Sequence, residues 1–145
     1  EIYPRKRATR LKTEGAFHTY LMVTAAREFR TVLDSVEFGE ADFDVLSNYT
    51  GLTHEAAPDS IRTRLFFQLF NTVDWVGCMR AAAQPGISRF IEFGGGIGKG
   101  ETPAEKKPNL QSIINKNLRA LDHEAEYTPI INAETLKAAA QDQAA

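Results

Sequence analysis

A single cysteine, Cys78, in 145 residues leaves no internal disulfide to form and suits a reducing compartment, so a cytoplasmic chain is expected. No apolar run is long enough to span a bilayer, because Gln68, Asn71 and Asp74 interrupt the best candidate. The start carries no secretory pattern. Seventeen basic and 19 acidic residues give a net charge of −2, which supplies no dominant basic face and speaks against a nucleic-acid partner. The three histidines, His18, His54 and His123, share no metal-ligand spacing, so no metal site is expected. Internal repeats are missing as well. What is left is an ordinary soluble composition at a length that suits one domain with a real core.

The most informative stretch is Gly15-Ala16-Phe17-His18-Thr19-Tyr20-Leu21-Met22. A turn-permitting pair leads to Phe17 and a histidine, then a hydroxyl residue opens an apolar helical pattern. Thr19 suits the N-cap of that helix, because its oxygen can accept an orphan N–H of the first turn. His18 then sits at a strand-to-helix corner with its ring free to enter a cleft. A neutral imidazole held this way is a natural general base near pH 7. On spacing alone, a histidine that merely fills surface or core explains the stretch better.

Hydrophobic periodicity orders the remainder. Thr9 to Thr13 reads as a strand, and Leu21 to Val36 as a helix whose stripe of Leu21, Ala25, Phe29, Val32, Leu33 and Val36 faces the core. Asp44 to Asn48 is a short apolar strand, followed by a turn-rich loop in which His54 is expected to be solvated. Pro58-Asp59-Ser60 opens a helix with Ile61, Leu65, Phe66, Leu69, Phe70 and Val73 buried. A helix from Asp74 to Ala83 carries Trp75 as a packing anchor and an inert Cys78. Ser88 to Phe93 is a near-continuous apolar strand. Leu110 to Leu121 is a helix with Ile113, Ile114, Leu118 and Leu121 inside, Tyr127 to Asn132 a strand, and Glu134 to Gln141 a terminal helix.

Gly94-Gly95-Gly96-Ile97-Gly98-Lys99-Gly100 invites a phosphate-loop reading and fails it. Counting back from Gly98-Lys99 puts Phe93 where a Walker loop needs its first glycine, and Gly100 replaces the magnesium-binding hydroxyl. The dinucleotide spacing fails too. The stretch from Gly98 to Asn109, with Lys99, Lys106 and Lys107, reads as a loop, either simply exposed or contacting a ligand through those lysines.

Four collinear segments resemble the malonyl-CoA:acyl carrier protein transacylase family, which includes the acyltransferase domains of fatty acid and polyketide synthesis. They are Gly15-Ala16-Phe17-His18-Thr19, Val45-Leu46-Ser47-Asn48-Tyr49-Thr50-Gly51, Gln68-Leu69-Phe70-Asn71-Thr72-Val73-Asp74-Trp75, and Phe90-Ile91-Glu92-Phe93-Gly94. The resemblance implies an α/β fold: residues 1–13 end a small ferredoxin-like subdomain, and 14–145 form the C-terminal part of an α/β-hydrolase-like large subdomain. It implies His18 as catalytic base and the main-chain carbonyl of Gln68 as acceptor of the His18 Nδ1–H, leaving Nε2 to take the proton. Relatives often carry proline where this chain has Thr72. Thr72 keeps an N–H that competes for the Gln68 carbonyl, so the helix is expected to end or tighten near Asn71. Phe17 and Asn48 are implied to line the substrate site, and the bulk of Phe17 favours malonyl over branched units. The glycine-rich stretch becomes a turn beside the cleft, and its lysines a possible contact for phosphopantetheine.

The family nucleophile, a serine in a Gly-His-Ser-x-Gly elbow, has no counterpart at Ser35, Ser47, Ser60, Ser88 or Ser112. The chain is therefore expected to be the C-terminal part of an enzyme whose N-terminal half carries the serine, or else a degenerate, non-catalytic carrier-protein-binding module. The implied reaction is ping-pong transfer of an acyl group from coenzyme A to the phosphopantetheine thiol of acyl carrier protein, with no covalently bound cofactor. The arginine that grips a malonyl carboxylate is not among these motifs, which leaves transfer of another acyl group, or acyl hydrolysis, open. Arg5, Lys6 and Arg7 form a basic edge that either deters stray strand pairing or docks the acidic carrier protein. Reversing Arg5 and Arg7 to Glu weakens carrier-protein binding at low salt if the edge is a dock; unchanged affinity assigns it to the solvated edge.

Overall fold

The computed structural model describes residues 15–94, 102 and 105–142. Arg5, Lys6, Arg7, the expected strand Thr9–Thr13 with the 1–13 subdomain end, Lys99 and the glycines beyond Gly94 lie outside the described residues. The chain is a mixture of helices and strands and divides into two compact units, one holding residues 15–49 and 54–73, the other 50–53 and 74–142.

In the first unit a short 3-10 turn, Tyr20–Met22, runs into helix α1, Val23–Ser35. The Thr19 hydroxyl receives the Leu21 N–H, as an N-cap should. Helix α2, Pro58–Gln68, starts with proline in its first turn, where its missing N–H costs nothing. The two helices pack together, and Arg62 of α2 ties off the end of α1. Its guanidinium donates to the carbonyls of Leu33 and Val36 at 3.2 and 3.0 Å, satisfying last-turn acceptors with a cation at the favourable end of the helix dipole. The same guanidinium lies over the Phe38 ring, 5.3 Å from its centroid.

Burial in this unit corrects the periodicity. Of α1 only Ala26 and Leu33 are buried, while Leu21, Phe29, Val32 and Val36 of the expected core stripe are exposed. The apolar face of α2 is half-buried, and Val73 beyond it is exposed. Asp44 to Asn48 is not a strand: Leu46 alone makes a bridge. A strand needs a laddered neighbour, and no strand is present among the described residues of this unit.

The second unit opens with helix α3, Trp75–Ala82, capped by the Asp74 carboxylate, which accepts the Gly77 N–H at 2.8 Å. Gly51, at φ +66°, lies against it so closely that a Cβ there would fall 2.8 Å from the Gly77 Cα. Strand β1, Arg89–Phe93, and strand β2, Glu126–Ile130, pair in parallel with Arg89 opposite Glu126 and Phe93 opposite Ile130. Helix α4, Gln111–Ala120, lies in the crossover that a parallel pair requires. Helix α5, Ala133–Asp142, follows β2, its start fixed by the Asn132 side-chain oxygen, which accepts the N–H groups of Glu134 and Thr135. Met79 of α3 with Ile114 and Leu118 of α4 makes the core, and Trp75, Phe90 and Tyr127 pack on it. Ile113, expected inside, is exposed.

Strand β1 departs most from expectation. Its apolar residues Ile91 and Phe93 are exposed, Phe93 at 72%, and the buried member is Glu92 at 6%. That carboxylate is fully served. It accepts the N–H of Asn109 at 2.7 Å and of Leu110 at 2.8 Å, at the entrance to α4, together with the hydroxyl of Tyr127 from β2. One side chain thus fastens both strands and the crossover helix. Burial alone would push the carboxyl's pKa up, but the Tyr127 hydroxyl and the two backbone amides outweigh it and hold the value below the ordinary 4.5. Burial, then the same carboxylate, pushes the Tyr127 phenol well above its usual range.

A carboxyl group with a depressed pKa in the folded state stabilises the fold fully above its unfolded pKa, and that stabilisation fades as pH falls through the folded value. Acid unfolding followed by circular dichroism should therefore show a Glu92 contribution that disappears below the ordinary carboxyl value of 4.5. In Glu92→Gln the difference from wild type shrinks toward zero at low pH, and a constant difference across the titration would deny Glu92 this part.

Candidate active site

His18 occupies the left-handed region, φ +62°, which a non-glycine residue rarely adopts. Local chemistry holds it there. On the far side of the corner the Thr19 hydroxyl donates to the Ala16 carbonyl at 2.7 Å, and the Met22 N–H closes the 3-10 turn on the Thr19 carbonyl at 3.0 Å. From α2 come two successive carbonyls: Leu69 accepts the His18 main-chain N–H at 3.1 Å, and Gln68 accepts from the His18 ring Nδ1 at 2.9 Å. Backbone and ring are gripped from one place.

That geometry assigns the tautomer. A carbonyl oxygen only accepts, so Nδ1 carries the hydrogen and Nε2 of the neutral ring keeps its lone pair. The carbonyls are free because regular α2 ends at Gln68 and the chain tightens through Asn71, as expected. Among the described residues the Thr72 N–H makes no bond to Gln68, although Thr72 retains it.

Phe17 is 55% exposed, and its ring turns back over Gly15, where a Cβ would meet it at 2.9 Å. Asn48 is half-buried in a turn. Its neighbour Tyr49 stacks on Phe67, centroids 5.4 Å apart and planes 18° apart, one residue before Gln68. Phe66 and Phe70 complete an aromatic cluster around that helix end. The structure thus brings together His18 and Gln68, and Tyr49, the neighbour of Asn48, stacks at the same helix end. Lys106 is half-buried and Lys107 exposed.

Two sequence readings need revision or reinforcement. His54 is not solvated: its Nδ1 is shut away from solvent without a partner, and its main-chain N–H donates to Val45 at 2.8 Å. Burial, then the nearby Arg64, lowers its pKa, so it stays neutral at physiological pH, at the side of a cavity of about 540 Å³ lined also by Asp42, Asp44 and Ile61. Cys78 is buried, and burial with the adjacent Asp74 pushes its thiol up, as suits an inert residue. Sequence reasoning put the helix end near Asn71 but missed the part its side chain plays: the amide donates to the Phe67 carbonyl at 2.8 Å. An asparagine directly after a helical pattern is a known stop signal and was the available clue. No group of acidic, histidine or cysteine side chains among the described residues is suited to hold a metal.

A neutral imidazole with its Nδ1 fixed by a main-chain carbonyl can accept a proton at Nε2. Comparison gives the particular relatives. No family model matches the chain. It is 29% identical over 134 residues to the malonyl CoA-acyl carrier protein transacylase of Bacillus subtilis, covering 91% of this chain and 39% of that protein. The fold is shared with MCAT from Streptococcus pneumoniae (TM-score 0.70, 22% identity, 97% of this chain and 41% of that one). It is shared equally with a malonyl-transacylase solved in complex with the acyl carrier protein of a type II polyketide synthase (TM-score 0.70, 23% identity, 94% and 39%). Along most of its length the chain resembles malonyl-CoA:acyl carrier protein transacylases, as its four motifs indicate, and it spans about two fifths of their length.

The backbone and the ring of residue 18 separate by substitution. Asparagine tolerates the left-handed region and valine does not, so His18→Val should lose about 1–2 kcal/mol more stability than His18→Asn. Equal unfolding midpoints in urea would show that the corner relaxes without strain.

Proposed function

We propose that the chain is the C-terminal part of the large, α/β-hydrolase-like subdomain of an acyltransferase that moves an acyl group, malonyl by preference, from coenzyme A to the phosphopantetheine thiol of acyl carrier protein. The observation that carries this reading is the His18 Nδ1–H donated to the Gln68 carbonyl at 2.9 Å, which leaves Nε2 as a proton acceptor. The serine it serves belongs to polypeptide beyond this chain. Two facts support that: none of the five serines stands in an elbow motif, and the chain covers 39% of the Bacillus relative. Exposed Ile91 and Phe93 on a parallel strand pair also suit a fold completed by further chain, since parallel sheets are ordinarily covered on both faces.

In this mechanism Nε2 takes the serine proton as the hydroxyl oxygen attacks the thioester carbonyl. The C–S bond breaks, the imidazolium returns the proton to the coenzyme A thiolate, and an acyl-serine ester remains. The carrier thiol then gives its proton to Nε2 and attacks the ester, and the serine leaves with that proton. The Gln68 carbonyl supports each imidazolium stage through the same Nδ1–H. Backbone amides outside this chain hold the oxyanion. Phe17, next to the base, crowds an α-branched acyl group and so favours malonyl.

In the enzyme assembled with its serine-bearing portion, His18→Ala should lower transfer from malonyl-CoA to carrier protein at least ~100-fold, the scale of a positioned base. Labelled malonyl-CoA should leave its label on a serine peptide of the wild type. A near-wild-type rate in His18→Ala would overturn the assignment of His18 as the base, and the absence of a covalent label would overturn the reading in favour of a carrier-binding module.

A further inference from the structure

We propose that Asn71 is a positioning residue for the His18 base, acting as the stop that ends α2 and releases the two carbonyls that hold the histidine. The inference rests on the reading of His18 as the base. In a helix continued by one more turn, the Thr72 N–H would bond the Gln68 carbonyl and the Val73 N–H the Leu69 carbonyl, since each amide reaches four residues back. Those are the two oxygens that take the His18 ring and main-chain N–H, at 2.9 and 3.1 Å. The helix and the histidine compete for the same acceptors.

Asn71 decides that competition. Its main-chain N–H makes the last α-type bond, to the Phe67 carbonyl at 3.1 Å, and its side-chain amide donates to that same oxygen at 2.8 Å. The Phe70 N–H, at 3.3 Å, also points to it. The same bond at Asn117 sits inside α4, so it does not forbid a helix by itself. At Asn71 it falls where the turn has already tightened, with the Phe67 oxygen claimed three times, and there it tips the next two amides away from the ladder. Local side-chain bonds of this type compete with the regular ladder, which is why asparagine ends helices. The half-buried setting strengthens the bond by excluding water. Thr72 lacks the ring that would forbid the competing bond outright, so the stop falls to its neighbour.

The test reads the ring itself. In protein carrying ¹⁵N-histidine, the neutral ring of wild-type His18 should show protonated Nδ1 and unprotonated Nε2. Asn71→Ala and the isosteric Asn71→Asp, which has no N–H to donate, should convert this to a mixture of tautomers. Transfer in the assembled enzyme should lose roughly tenfold in kcat with little change in KM, as expected of a base out of alignment. Adding Thr72→Pro to Asn71→Ala removes the competing N–H and should restore both the tautomer and kcat, a rescue that a merely structural role for Asn71 would not give. An unchanged His18 tautomer in both single variants, or a double variant no better than Asn71→Ala, overturns the proposal. The two readings fail separately: a tautomer that responds to Asn71 in an enzyme without transfer activity sinks the acyltransferase, whereas normal transfer with an unresponsive ring sinks only the stop.

Discussion

Everything that makes His18 a chemical group rather than a surface side chain depends on two main-chain oxygens at the end of α2. Gln68 holds the ring and Leu69 holds the backbone. A peptide carbonyl is a modest acceptor, yet it suits this task. It is uncharged, so it orders the imidazole without tying up the proton in an ion pair, and it belongs to a helix rather than a free rotamer. The left-handed backbone at residue 18 is the counterpart of that order: an unfavourable conformation kept by bonds on both sides of the corner.

The second unit solves a different problem with a charged group. A two-stranded parallel ribbon has little cohesion of its own. Glu92 joins β1, the entrance of α4 and, through Tyr127, β2. Removing a carboxylate from water is costly, and three donors on one group are what make the placement sustainable. Gly51 and Gly77 add a steric constraint: a side chain at Gly51 would run into the Gly77 backbone and the Asp74 carboxylate, and one at Gly77 into that same carboxylate.

Much of this was legible in the chain and some was not, for reasons that differ by residue. Pro58 and Asp74 announced the starts of α2 and α3 because a proline in the first turn and an acidic cap have local causes that act wherever the helix lies. Strand β1 showed as an apolar run. Burial did not follow from periodicity: Leu21, Val32 and Ile113 stand on apolar stripes and are nevertheless exposed. A stripe says which face seeks cover, while cover depends on other segments. Asp44 to Asn48 failed as a strand on the same ground, having β-favouring residues and no neighbour to ladder with. Within the site, the neighbours of His18 could be read from motifs, but the left-handed φ could not. Glu92 left a trace, a single acid among Phe90, Ile91 and Phe93, whose meaning needed the folded positions of Tyr127 and residues 109–110.

The clasp between α1 and α2 carries a last consequence. Arg62 grips the Leu33 and Val36 oxygens, groups that do not ionise in the range where proteins live, with a guanidinium that never gives up its charge there. The helix pair presenting the histidine is thus anchored by a contact indifferent to proton concentration, whereas the strand ribbon hangs on a carboxylate. Acid well below the ordinary carboxyl value of 4.5 would strip the ribbon of its central tie and leave the clasp between α1 and α2 standing, so the two units would lose their order one after the other rather than together.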